Sequence, residues 1–282
     1  MDVREVRVTQ AELLHITEHG HCYVNPYYGC SEGCPFCYWN DLPGWAGNIQ
    51  VRVNAPEILD EYLANRACGG RIYIGSYCNP YEDVEKTYRI TRSMLQVLKR
   101  HHAGFTLMTS SQGVVQDLPL LAGLGEKCTI VFELSRIERM LAFQKTGRHP
   151  VLDAANLLFH QGITVWTTLS PYLHGITDLE AVLDVLDEGI PVYTGPLDVL
   201  PGTAMYNRFM DRIEKCAPWS LAYYQTLIRQ GRIQQEFEKT VRGFDGVARL
   251  KRFPLPEETG WAVGCQEVHD GRVCCCLHGG HR

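Results

Sequence analysis

The stretch NPYYGCSEGCPFCYWN, residues 25–40, sets three cysteines, Cys30, Cys34 and Cys37, in a CxxxCxxC spacing. Three thiolates fall one short of the set that a closed zinc site or a fully ligated iron–sulfur cluster takes. Three readings follow. A nearby residue such as Cys22 or His21 completes a structural zinc site. The three are unligated loop thiols. Or one coordination position is left to a ligand from solution.

The surroundings of the loop decide the fold class. HCYVNPY (21–27) leads into it with the length and apolarity of a strand. Downstream, GRIYIGS (70–76), FTLMTS (105–110), CTIVFEL (128–134), ITVWTTLSP (163–171) and IPVYTGPL (190–197) have the same character. Helical spacing separates them in APEILDEYLANRA (55–67), DVEKTYRITRSMLQVLKRHH (83–102), DLPLLAGL (117–124), HPVLDAANLLFHQG (149–162) and DLEAVLDVLDEG (178–189). Gly104, Gly162 and Gly189 are the expected helix stops. The strands are continuously apolar, as in a parallel sheet covered on both faces.

These steps predict an α/β chain, a partial (β/α)6 TIM-type barrel over 21–200 behind a lead-in of residues 1–20. Barrels of this kind place their chemistry at the C-terminal strand ends, and the cysteine loop follows the first strand. Residues 201–282 form a C-terminal extension, with helices expected over 203–216 and 217–231 and then a Cys/His-rich tail.

Bulk composition narrows the class. The chain has 282 residues, 45% hydrophobic and 21% charged, which fits one sizeable soluble core. Net charge is −5 without a Lys/Arg block, which argues against polymeric nucleic acid as a partner. No apolar run is long enough for a membrane span and the first residues lack a signal-peptide core, so a cytoplasmic protein is expected. With no secretion signal, metal is a better use than disulfides for the 12 cysteines.

The loop resembles the motif of the radical S-adenosylmethionine (radical SAM) superfamily, with Phe36 at the aromatic place before the third cysteine. Residues 75–98, 105–111 and 162–178 look like successive segments of its spore-photoproduct-lyase-like branch, and the likeness covers about residues 20–200. The resemblance implies a 4Fe-4S cluster on Cys30, Cys34 and Cys37, with S-adenosyl-L-methionine on the open iron. It implies reductive cleavage to a 5′-deoxyadenosyl radical, fed by an electron donor such as flavodoxin or ferredoxin. Phe36 is then expected beside the adenine, Ser76 near the methionyl part, Glu133 near the ribose, and Ser110 and Ser170 as further cofactor contacts. Two positions depart from the pattern. Ser110 falls where the photolyase has a lysine. Cys78 lies close to the place of the photolyase's hydrogen-donating cysteine, but shifted. Hydrogen donor and small buried side chain both stay open for it.

Other residues are placed by position alone. Asn79, Tyr81 and Glu82 follow the second strand and are expected as substrate or cofactor contacts, with plain turn chemistry at Asn79-Pro80 as the competing reading. Tyr172 and His174 follow the fifth strand and are expected to line the mouth, His174 as an acid or base; the competing reading is a surface histidine. In the tail, Cys265, Cys274, Cys275 and Cys276, with His269, His278, His281 and Cys216, suggest a second iron–sulfur cluster, a zinc, or a thiophilic substrate such as an arsenical. The expected function is a radical SAM lyase acting on a small metabolite, nucleoside or base, specifically a modified deazapurine in queuine-type salvage. The alternatives are an arsenic-linked or sulfur-inserting enzyme, a DNA photoproduct-type repair lyase, and a non-catalytic zinc module.

Overall fold

A computed structural model describes residues 1–17, 20–45, 47–65 and 70–252. The expected tail site at Cys265, Cys274, Cys275, Cys276, His269, His278 and His281 lies outside the described residues. Eleven strands are described: β1 (Asp2–Val6), β2 (Leu14–Ile16), β3 (Cys22–Val24), β4 (Tyr27–Tyr28), β5 (Asn48–Arg52), β6 (Ile72–Ile74), β7 (Phe105–Thr109), β8 (Cys128–Glu133), β9 (Thr164–Leu169), β10 (Val192–Thr194) and β11 (Leu250–Arg252).

The expected strands are β3, β6, β7, β8, β9 and β10. They lie side by side in chain order within a sheet that runs β11-β10-β9-β8-β7-β6-β3-β2. All pairs from β3 to β11 are parallel, and β2 closes one edge antiparallel to β3. This is the partial barrel. Its outer face carries helices that bury an apolar stripe, among them Leu59 of Ala55–Asn65, Leu95 and Leu98 of Ile90–Arg100, and Leu152 and Leu158 of Pro150–His160. The inner face packs separately. Tyr23, Tyr73, Met108, Val131 and Tyr193 form their own cluster, with Tyr23 and Tyr73 stacked at 4.9 Å.

The structure corrects several element boundaries. The helix expected over 83–102 is two, Glu85–Tyr88 and Ile90–Arg100, parted at Arg89 with φ +53°. The cause is Glu85, whose buried carboxylate accepts the backbone N–H groups of Thr91 and Arg92, both at 3.0 Å, and so caps the second helix from within the first. That helix ends at Arg100, before Gly104. The helix expected over 117–124 shrinks to Leu118–Leu121 behind a 3₁₀ turn. Helices Ile137–Thr146 and Ile233–Arg242 and strand β11 come from stretches too charged to stand out as periodic.

A small sheet, β1-β5-β4, flanks the barrel and carries the chain into the cysteine loop. β4 pairs antiparallel with β5, Tyr27 opposite Val51 and Tyr28 opposite Gln50. Gly29 follows at φ +96°, and a Cβ there would collide with the Asn48 carbonyl. Only glycine lets the chain pass β5 so closely into Cys30. No helix among the described residues is long and apolar enough to cross a membrane.

Candidate active site

The C-terminal strand ends surround a cavity of about 940 Å³, counting the space open to solvent. Cys30, Cys34, Phe36 and Cys37 reach it from the loop that follows β3 and the short β4. Ser76, Tyr77, Cys78 and Asn79 follow β6 into its wall, with Met108, Thr109 and Ser110 from β7 and the turn after it. Glu133 comes from the end of β8, and Ser170 from the end of β9. The expected cluster ligands and cofactor contacts therefore share one cavity.

Buried polar pairs hold the wall. Asn25 donates to the Ser76 hydroxyl at 2.9 Å, and Cys78 Sγ lies 3.7 Å from Asn25 Oδ1. Asn79 Oδ1 accepts from Thr109 Oγ1 at 2.8 Å and from the Tyr81 amide at 3.1 Å, while its Nδ2 donates to Glu32 at 3.0 Å. Asn79 thus serves both as cavity wall and as turn former. Glu82 does not face the cavity. It accepts the Ser31 amide at 3.1 Å and the Ser31 hydroxyl, and so fixes the residue after Cys30.

Electrostatics mark the same corner. Burial pushes the Cys30 and Cys34 thiols well up, Cys30 further beside Glu82 and Cys34 beside Glu133. Cys78 is pushed up to about 12, first by burial and then by Glu82. Glu133 rises to about 7 through burial, although the Ser135 amide donates to it at 2.6 Å. The fit to an iron cluster rests on this donor set. Three free cysteines line the cavity together with the half-buried Glu133 carboxyl and three serines. A thiol raised in this way ionises when it ligates metal, because the ion supplies the missing positive charge. Among the described residues no group of three or more His, Cys, Asp and Glu is placed to hold a single metal ion. Cys22 sits fully buried in β3 and His21 within bonding reach of the Arg71 amide, 3.2 Å from Nδ1, so neither joins the loop cysteines at the cavity.

Three mouth residues are placed elsewhere. Tyr81 points away from the cavity and donates to Asp117 Oδ2 at 2.9 Å in a buried pair. His174 packs under the C-terminal helices, with Nε2 3.2 Å from Thr240 Oγ1 and its carbonyl accepting from Tyr224 at 2.8 Å. Burial lowers its pKa. Tyr172 lies beside it, ring centroids 5.0 Å apart. Cys216 stands apart as well, 3.7 Å from Glu138 Oε1.

The sequence reading missed the clamp on the loop. Helix Ala204–Cys216 of the extension lays Arg208 and Arg212, one turn apart, across it. Arg208 donates to the Cys37 carbonyl at 3.2 Å and pairs with Asp41; Arg212 donates to the Gly33 carbonyl at 3.3 Å and pairs with Glu138. Arg136 pairs with Glu32 from a third side. The i, i+4 arginine spacing was the one visible sign.

No protein-family model matches the chain. An uncharacterized protein of Methanocaldococcus jannaschii is 24% identical over 169 residues, which are 57% of this chain and 63% of that relative. The chain therefore matches less than two thirds of that relative's length. Among solved structures, a spore photoproduct lyase mutant with bound AdoMet and dinucleoside spore photoproduct superposes with a TM-score of 0.52 at 17% identity, covering 76% of this chain and 67% of that one. A second mutant of the same lyase gives 0.51 at 17% identity over 77% and 66%. The chain has the partial-barrel fold of spore photoproduct lyase.

Proposed function

We propose that the chain is a radical SAM enzyme of the lyase type, acting on a small metabolite, nucleoside or base. The observation that carries this is the meeting of Cys30, Cys34 and Cys37 with Phe36, Ser76, Ser110, Glu133 and Ser170 in one strand-end cavity. Cys30, Cys34 and Cys37 would hold a 4Fe-4S cluster and leave one iron to S-adenosyl-L-methionine. When bound and reduced by a flavodoxin- or ferredoxin-type donor, this pair supplies a 5′-deoxyadenosyl radical.

The chain's own groups orient and shield. Phe36 offers an apolar face to the adenine. Ser76, fixed by Asn25, and Ser110 offer hydroxyls to the methionyl end. Glu133 accepts from the ribose, its carboxyl held by the Ser135 amide. Cys78, kept protonated by burial, holds a hydrogen atom in the wall for return to product. A modified deazapurine is the substrate this reading favours.

Oxygen-free purification of the wild type and of a Cys30/Cys34/Cys37→Ala variant tests the reading by iron and sulfide count. About four more irons in the wild type are expected. A wild type without iron after reconstitution sinks the proposal and favours the zinc module. Metal left in the variant would point to a second site, as iron for a cluster or as zinc.

A further inference from the structure

The far end of the cavity carries a group that the cofactor reading does not use. In sheet order four strands separate β3, which bears the cysteine loop, from β10. Beyond β10 the chain runs Pro196, Leu197, Asp198, and all three line the cavity. Leu197 and Val199 are each 4% exposed and anchor the segment on both sides of Asp198. Asp198 itself is exposed.

Charge in the wall is one-sided. Among the described residues that line the cavity there is no Lys, Arg or His. Its carboxylates are Glu32, Glu133 and Asp198. Glu32 is taken by Arg136 and Asn79, while Glu133 gives Oε1 to the Ser135 amide and stands at the end of β8, nearer the cysteine end than Asp198. Arg139 does not line the cavity; it donates to the Ser110 carbonyl, and its charge acts on Glu133 and Cys34 rather than on Asp198. Asp198 has no hydrogen-bond or ion-pair partner among the described residues. A ligand entering at the β10 end meets the Asp198 carboxylate and no cation in the wall.

We propose that Asp198 is the specificity residue of the substrate end, and that it selects a phosphate-free molecule presenting an amine, amidine or paired N–H edge. A carboxylate accepts two parallel N–H bonds from such an edge, and bonds to an ionised acceptor are the strong ones. A phosphate would instead bring like charge against Asp198 with no arginine or lysine in the wall to neutralise it. Nucleotides and nucleic-acid backbones are thereby disfavoured, and nucleosides, amino-heterocycles and amines are favoured. The inference rests on the radical SAM reading only in assigning the cysteine end to cofactor and the β10 end to substrate.

Two probes of one ring and opposite charge test it, benzamidine and phenyl phosphate. Binding is measured by calorimetry on the full chain, purified without oxygen, as wild type, Asp198→Asn and Asp198→Lys. Thermal melts check that the exposed substitutions leave the fold intact. Benzamidine should bind the wild type and weaken roughly tenfold in Asp198→Asn. Phenyl phosphate should bind only Asp198→Lys. Wild type that does not bind benzamidine, equal benzamidine affinity in wild type and Asp198→Asn, or phenyl phosphate binding to wild type overturns the proposal. S-adenosyl-L-methionine is titrated separately and should bind wild type and Asp198→Asn alike. Its failure to bind any of the three proteins would bring down the radical SAM reading, while the benzamidine arm still decides the role of Asp198.

Discussion

The two ends of the parallel sheet treat polar groups in opposite ways. At the strand starts Arg71 donates Nε to Thr106 Oγ1 at 2.6 Å and Nη2 to the Phe105 carbonyl and to Thr129 Oγ1, both at 2.7 Å. A charge and two hydroxyls are consumed by one another across β6, β7 and β8. At the strand ends four thiols, a carboxyl raised to about 7 and a free aspartate face an open cavity. The first arrangement closes a barrel and leaves nothing for a ligand. The second leaves bonding capacity unspent, and unspent capacity in a concave site is what binding needs.

The contrast breaks most visibly at Gly29. Gly29→Ala puts a Cβ into the Asn48 carbonyl at a left-handed φ, so the loop must move. Cluster iron should fall to the level of the triple-cysteine variant. The barrel core, which Gly29 does not support, should keep its cooperative melt. Normal iron content in Gly29→Ala would show that the loop tolerates another path.

A second test lies behind the mouth. His149 is 1% exposed, and neither ring nitrogen has a hydrogen-bond partner. Burial lowers its pKa to about 4 from 6.5. The unfolded chain takes a proton below pH 6.5 and the native chain does not, so stability is lost as pH falls through this window. The loss approaches roughly 3 kcal/mol near pH 4. Urea midpoints at several pH values should fall more steeply for the wild type than for His149→Gln. Parallel curves would mean that His149 finds a proton acceptor.

The strand starts supply the control. Arg71→Met removes one cation from four acceptors, the Phe105 and Lys127 carbonyls among them, and leaves the Thr106 and Thr129 hydroxyls unpaired, at a cost of about 2 kcal/mol. Iron content and S-adenosyl-L-methionine affinity of the folded fraction should not change. A variant that melts normally but loses iron would mean the two ends are coupled.

How far the sequence carried follows from the range of each interaction. The six strands were legible because each is an apolar run that the sheet buries on both faces. The cysteine loop, Phe36 and the strand-end residues Ser76, Ser110, Glu133 and Ser170 were legible because they lie one step past those runs. Tyr81 and His174 share that position and still turn away, since Asp117 and Thr240 take them up through contacts 36 and 66 residues distant. Glu82 turns to Ser31 in the same way, across 51 residues. The helix break at Arg89 was hidden because its cause is a buried carboxylate, and a carboxylate in a charged stretch reads as solvated surface. Arg208 and Arg212 were hidden for the same reason. Their partners in the loop are 171 and 179 residues away.

Those arginines give the smallest effect and the sharpest reading of the loop. Arg208 holds the Cys37 carbonyl and Asp41 through its two terminal nitrogens, while its Nε is buried without a partner. The gain is therefore a positioned carbonyl, set against a desolvated donor, and Arg208→Ala should cost only about 1 kcal/mol in melting. Its effect should show in the loop instead. Without the tie at Cys37 the third cysteine samples more positions, so iron should load more slowly in reconstitution yet reach the same final count. Arg208→Lys should behave like alanine, because one ammonium cannot reach a carbonyl and a carboxylate in the fork geometry of a guanidinium. Full-speed loading in both variants would place the control of Cys37 in the loop itself, at Asn40, whose Nδ2 donates to the Cys34 carbonyl at 2.8 Å.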